Sequence, residues 1–227
     1  MNNLNRIGGL SALLFAILHF VGLALSAIAF VSARPEILEP TNVEARLAFV
    51  ASMTQTQRLS LIVGSNLEML AVLFLIPPLM ALYAMLQGEH STNALLAAGL
   101  GLVGVPFFML FSVQWFPMID LGGLYGLADS NGKAGLVAIH TLGEHYTLIM
   151  ERIFLLFFGA ALFLYSRALL RAAFSRRLAI FGTATGIVAI VGAIGPAIII
   201  QLEFLQFISE LLLIVWHFWM GMVLFKK

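Results

Sequence analysis

Residues 134–166 carry His140, Glu144, His145, Glu151 and Arg152 on a stretch that is otherwise almost wholly apolar. Imidazoles and carboxylates are the side chains that move protons, ligate divalent metals and hold polar head groups. A guanidinium buried beside them needs a carboxylate to offset its desolvation. Inside a membrane span such groups require a partner, a watery cavity or a function. Four further apolar runs contribute polar residues that could meet them: His19, Glu68, Gln114, and Glu210 with His217.

Spacing narrows what these groups can do together. His140, Glu144, Thr147 and Glu151 recur at helical intervals and form one polar stripe, which should face the bundle interior or a water-filled opening. Glu151 and Arg152 are neighbours on one helix and cannot face each other. Arg152 is therefore expected to face Glu68, Glu210 or both, either as an ion pair that fixes helix register or as part of a site. His140, Glu144 and His145, with a carboxylate from elsewhere, have the donor types of a zinc, iron or manganese site. The sixth residue of that His-x-x-x-Glu-His run, however, leaves the face shared by the first and fifth. His19 and His217 are alternatively core histidines or, from two spans, the axial ligands of a b-type haem. No serine stands in a nucleophile turn with an acid and a histidine in order, and no paired-aspartate membrane-protease motif occurs. Enzymatic activity is left open, with no motif to carry it, and no cofactor is specified.

The elements that must position these groups are set by composition. Of 227 residues, 61% are hydrophobic and 10% charged, with a mean hydropathy of +1.02, far from the usage of soluble domains. A spanning helix needs about 20 mainly apolar residues, and six runs qualify: 7–30, 58–87, 93–116, 134–166, 178–200 and 202–225. The expected fold is an all-α polytopic bundle of six transmembrane helices forming one domain over residues 1–227. The first run is longer than a signal-peptide core, and although small residues occur at Ala27, Ala29 and Ala33, it reads as a retained helix. Arg167, Arg171, Arg176 and Arg177 crowd the fourth connection and Lys226 and Lys227 follow the sixth run, which with Arg6 places both termini on the cytoplasmic side. Counting from these anchors puts Glu151, Arg152 and Glu210 in the outer part of the hydrocarbon. Glu68, ten residues in from Arg58 or about 15 Å at helical rise, lies near the centre or the outer half. Gln114 approaches the same level, and Glu144 sits at or above the outer interface.

The connections carry their own signals. In the first outer loop Thr41 and Glu44 have capping-box spacing, and Val43, Leu47 and Val50 share a face, so a short interfacial helix is expected, covering the bundle or acting as a lid. Pro77-Pro78 should kink the second span. Gly99, Gly101 and Gly104, and Gly182 with Gly186, read as seams of close helix approach. The glycine-rich stretch 121–135, with Asp129 and Lys133, reads as a mobile outer loop. Trp115, Trp216 and Trp219 suit anchoring at or near the membrane interface. The second and fifth spans do not match as repeats, which counts against a three-plus-three transporter.

A net charge of +1 without a basic block excludes a nucleic-acid partner. The absence of cysteine excludes disulfides, thiolate metal sites, covalent c-type haem attachment and cysteine nucleophiles. Membrane lipid is the partner composition implies. The leading expectation is an outward-facing pocket, lined by Glu68, Gln114, Glu144, Glu151, Arg152 and Glu210, that binds a small amphiphilic or lipid-like molecule. The alternatives are an intramembrane enzyme or redox protein using the histidines, and a structural or assembly subunit.

Arg6-Ile7-Gly8-Gly9-Leu10 opening the first span, and Glu210 with Trp216 and Gly221 closing the last, resemble the bacterial family known as domain of unknown function 4386. The six-span layout matches along nearly all of the chain. The resemblance implies a bacterial integral membrane protein, multi-pass in the cytoplasmic membrane, with no assigned activity and no catalytic residues to carry over. It places Glu210 in a family-like pattern, whereas His217 and the His-x-x-x-Glu-His stretch fall outside the motif.

Overall fold

The computed structural model describes residues 2–31, 33, 42–88, 91–113, 115–172 and 174–226. The described residues are almost entirely helical: α1 Asn2–Ala29, α2 Val43–Ser52, α3 Gln55–Leu73, α4 Ile76–Met85, α5 Ser91–Ser112, α6 Trp115–Leu127, α7 Ser130–Arg171, α8 Arg176–Ile194 and α9 Phe204–Phe225, with short 3₁₀ turns at Gly195–Ala197 and Ile200–Glu203. As expected, six helical segments among the described residues are long and apolar enough to cross a membrane, and the protein is a multi-pass membrane protein. They close into a ring: α7 packs on α5 and α8, α8 on α9, α9 on α1, α1 on both α3 and α4, and α4 on α5.

The second span is two helices in line. Pro77 and Pro78 occupy the first turn of α4, where a missing N–H is harmless, but they withdraw two donors from the preceding turn. The chain responds at Phe74 and Leu75 with i→i−3 bonds to Ala71 and Val72, 2.9 and 3.1 Å long. The kink expected from the proline pair is thus present as a break.

Glycines set how closely the ring closes. A Cβ on Gly22 of α1 would lie 2.9 Å from the carbonyl oxygen of Gly64 on α3, and one on Gly64 2.8 Å from that of Gly22. The same reciprocal approach joins Gly9 to Gly221 between α1 and α9, 2.9 Å each way, and Gly159 to Gly186 between α7 and α8, 2.9 and 2.7 Å. Gly186 therefore lies in a seam, as its spacing predicts. Gly101 and Gly104 face Leu79 and Phe154, respectively, but Gly99 meets nothing within 4 Å and does not belong to one.

One end of the ring is capped. Helix α2 buries Val43, Leu47 and Val50 and packs on α6 and α7. Its N-cap is Asn42, whose Oδ1 accepts from the Ala45 amide at 3.1 Å. The capping box expected at Thr41 and Glu44 falls on Thr41, which lies outside the described residues; the Glu44 carboxylate accepts from the Tyr125 hydroxyl at 3.0 Å. A capping box does open α3, between Thr54 and Gln57.

The stretch 121–135, expected as a mobile loop, is helical on both sides of a two-residue connection. Two particulars overcome the low helix propensity of its glycines. Gly122 is where α6 crosses Val50 of α2, in contact too close for any side chain. Asp129 is the N-cap of α7, accepting from the Gly132 amide at 2.8 Å. Helix α7 has 42 residues, about 63 Å at helical rise, so it extends well past a hydrocarbon layer of roughly 30 Å.

That extension is tied to the cap by Arg46 of α2, whose guanidinium forks onto the Glu144 carboxylate, with Nη2 to Oε2 at 3.2 Å. Both side chains are about one-fifth exposed. We expect Arg46→Glu and Glu144→Arg each to lower stability and the double swap to recover about 1 kcal/mol of coupling. Thermal unfolding of the four proteins in one detergent measures it; additive losses would show that the pair contributes nothing.

Candidate functional site

The ring interior holds its polar and aromatic groups in two tiers, set by heptad spacing. Ser26 and His19 on α1, Glu210 and His217 on α9, and Glu151 and Phe158 on α7 are each seven residues apart, two turns or about 10.5 Å. All six are buried.

The tier nearer the cap is acidic. Glu68 on α3 is 2% exposed and its Oε1 accepts a long hydrogen bond, 3.4 Å, from Ser26 of α1. The close approach of Gly22 to Gly64 allows it, since a Cβ on Gly22 would lie 2.6 Å from Glu68 Cγ. Glu210 on α9 is 5% exposed and lies within electrostatic range of both Glu151 and Glu68. Three acidic residues from three spans are therefore electrostatic neighbours inside the ring. Among the described residues Glu210 Oε1 is buried without a hydrogen-bond partner, and so is Nε2 of Gln206, one turn away on the same face of α9 and 5% exposed.

Arg152 departs from expectation. It pairs with neither Glu68 nor Glu210: its Nη2 lies 3.7 Å from Oε1 of Glu203, with the two side chains 26% and 30% exposed. The cause is the connection before α9, whose 3₁₀ turn Ile200–Glu203 brings a fourth carboxylate to the level of Arg152. Glu151 sits between the rim pair and the interior, within electrostatic range of Arg152 and Glu203. A long, partly exposed pair holds little energy, so Arg152→Ala and Glu203→Ala should each cost no more than about 1 kcal/mol in chemical denaturation. A loss several times larger would mean that Arg152 supports the buried carboxylates directly.

The polar stripe of α7 faces inward as expected: His140, Thr147 and Glu151 are buried and Glu144 is held by Arg46. His145 leaves that face, exposed, with Nδ1 against the Thr141 carbonyl at 2.8 Å. His140, Glu144 and His145 do not come together as ligands, and among the described residues no group of three or more histidine or acidic side chains is arranged to hold a metal. Gln114 lies outside the described residues.

The deeper tier is aromatic. His19 and His217 are each 1% exposed and near one another, but Phe15 packs on both, with ring centroids 5.4 and 4.4 Å away. Phe108 closes on His19 at 5.2 Å and Phe158 on His217 at 5.6 Å. Nδ1 of His217 is held against the Leu213 carbonyl at 2.7 Å. Both imidazoles are thus packed among phenyl rings, and among the described residues Nδ1 of His19 has no hydrogen-bond partner. Trp216 belongs to the same core at 1% exposure, against the expectation of an interfacial anchor. Gly182 leaves room for its indole.

A surface pocket of about 460 Å³ opens beside the cap, between Arg58 of α3 and Ile119, Asp120, Gly123 and Leu124 of α6. It shares no residue with the acidic tier. Sequence reasoning missed Glu203, Gln206 and Ser26. Gln206 was legible by the four-residue spacing to Glu210; Glu203 was not, because its position depends on the 3₁₀ turn.

The family model described as Domain of unknown function (DUF4386) matches residues 7–227. No curated protein and no solved structure matches the chain.

Proposed function

We propose that this chain, which belongs to the DUF4386 family, binds a small amphiphilic or lipid-like molecule by its polar head at the acidic tier of the ring. The observation that carries the reading is the convergence of Glu68, Glu151 and Glu210 from three spans, with buried polar atoms of Glu210 and Gln206 left unpartnered. Apolar walls with a few convergent polar groups are the make-up of a small-molecule site, and intramembrane acidic residues mark ligand or ion paths. The basic residues between α7 and α8 and after α9 support an orientation with both termini inside, and the family resemblance implies a bacterial cytoplasmic membrane. In that orientation the acidic tier, the rim pair Arg152–Glu203 and the α2 cap all lie on the outer side, with α2 near the interface.

Native mass spectrometry of protein extracted in mild detergent tests the reading. Wild type should carry a bound amphiphile, and Glu151→Gln should lose it while keeping the same elution volume and helical content. Guest-free wild type under every extraction condition, with Glu68→Gln altering stability alone, would instead favour a structural subunit.

A further inference from the structure

Resting on that reading, the orphaned atoms specify the head group. Around the acidic tier stand the carboxyl groups of Glu68, Glu151, Glu210 and, at the rim, Glu203; the cation facing them among the described residues is Arg152, which is engaged with Glu203. The tier is short of positive charge and of hydrogen-bond donors.

Gln206 adds a second requirement, independent of the acids. Its side chain is 95% out of solvent by residue, and its Nε2 donor is unpartnered on the face that carries Glu210. Leaving a buried amide N–H unmade is costly, and a guest oxygen would satisfy it. Residues four apart on a helix hold their Cβ atoms roughly 5–6 Å apart. A donor nitrogen and an acceptor oxygen on adjacent carbons can address both side chains at once.

We propose that the guest's head is an amino alcohol or its ester: a protonated amine that donates to Glu210 Oε1, with Glu68 and Glu151 completing its charge complement, and a neighbouring oxygen that accepts from Gln206 Nε2. A phosphatidylethanolamine head and a free long-chain amino alcohol share this chemistry.

The test uses full-length protein in detergent, with sphinganine, octadecylamine and stearate as probes of equal chain length, read by native mass spectrometry and thermal shift. Sphinganine should bind best, octadecylamine more weakly and stearate least. Glu210→Gln should weaken sphinganine about tenfold or more. Gln206→Leu should erase the advantage of sphinganine over octadecylamine while leaving octadecylamine unchanged. Glu151→Gln is the second acid variant should Glu210→Gln fail to fold. Stearate binding as well as sphinganine, with all three lost in Glu210→Gln, would overturn the head-group assignment and leave amphiphile binding at the acidic tier standing. No binding by any probe would overturn both. Reconstitution with phosphatidylethanolamine against soluble ethanolamine separates the sources: protection by the lipid assigns a membrane lipid, and protection by ethanolamine a free amine.

Discussion

Trp216→Ala is expected to lower the thermal unfolding midpoint in detergent by roughly 10 °C, the equivalent of about 3–5 kcal/mol for a buried aromatic removed from a packed core. The indole is 1% exposed and stands edge-on to His217 at 5.1 Å. Its Nε1 would lie 2.5 Å from a Cβ on Gly182, so the neighbouring helix has been pared to backbone to receive it. Nothing adjacent can fill the void without dragging α8 inward. Trp219, half-buried and tilted on Phe181 at 5.9 Å, is the control and should cost much less as alanine. Equal, small shifts for the two would mean that Trp216 faces lipid.

Gly22→Leu is the second large effect. Its Cβ would come 2.6 Å from Glu68 Cγ and 2.9 Å from the Gly64 carbonyl, and backbone cannot step aside as a side chain can. Helices α1 and α3 would have to separate, breaking the Ser26–Glu68 hydrogen bond and spoiling the tier. Overpacking of this kind costs about 3 kcal/mol, and any bound amphiphile should be lost with it. Gly99→Leu offers the contrast, because nothing lies within 4 Å of a Cβ there and leucine is the better helix former by roughly 0.8 kcal/mol. Unfolding curves of both variants, with mass spectra of the bound guest, check the pair. Equal stability of the two would contradict the Gly22–Gly64 crossing.

The six spans were legible because hydropathy over about 20 residues is a property of a segment, insensitive to how the segment is turned. Counting along straight helices gave a depth for each acidic group, with Glu151 and Glu210 in the outer part of the hydrocarbon and Glu68 near the centre or the outer half. Partner choice was not legible. Arg152 pairs with Glu203 because a 3₁₀ turn shortens the approach to α9, and apolar sequence does not announce such a turn. Residue-type habits misled in two places: tryptophan read as an anchor where Gly182 had made it a pocket, and glycine read as loop where Gly122 admits Val50 and Asp129 starts a helix. The histidine pair was legible as a pair in depth, but the phenyl rings packed against it show only in three dimensions.

The contact between Gly9 and Gly221 has a consequence for biogenesis. Gly9 of the first span finds its glycine partner only in the sixth, although Gly22 of the same span already meets Gly64 of the second. Until that sixth segment is laterally released into the bilayer, the nascent protein is an open arc, with the notch at Gly9 facing acyl chains. Sealing the ring of helices is thus a post-insertion event, and a translation-arrested intermediate lacking the sixth span should expose that notch to crosslinking by lipid-borne probes or insertase subunits.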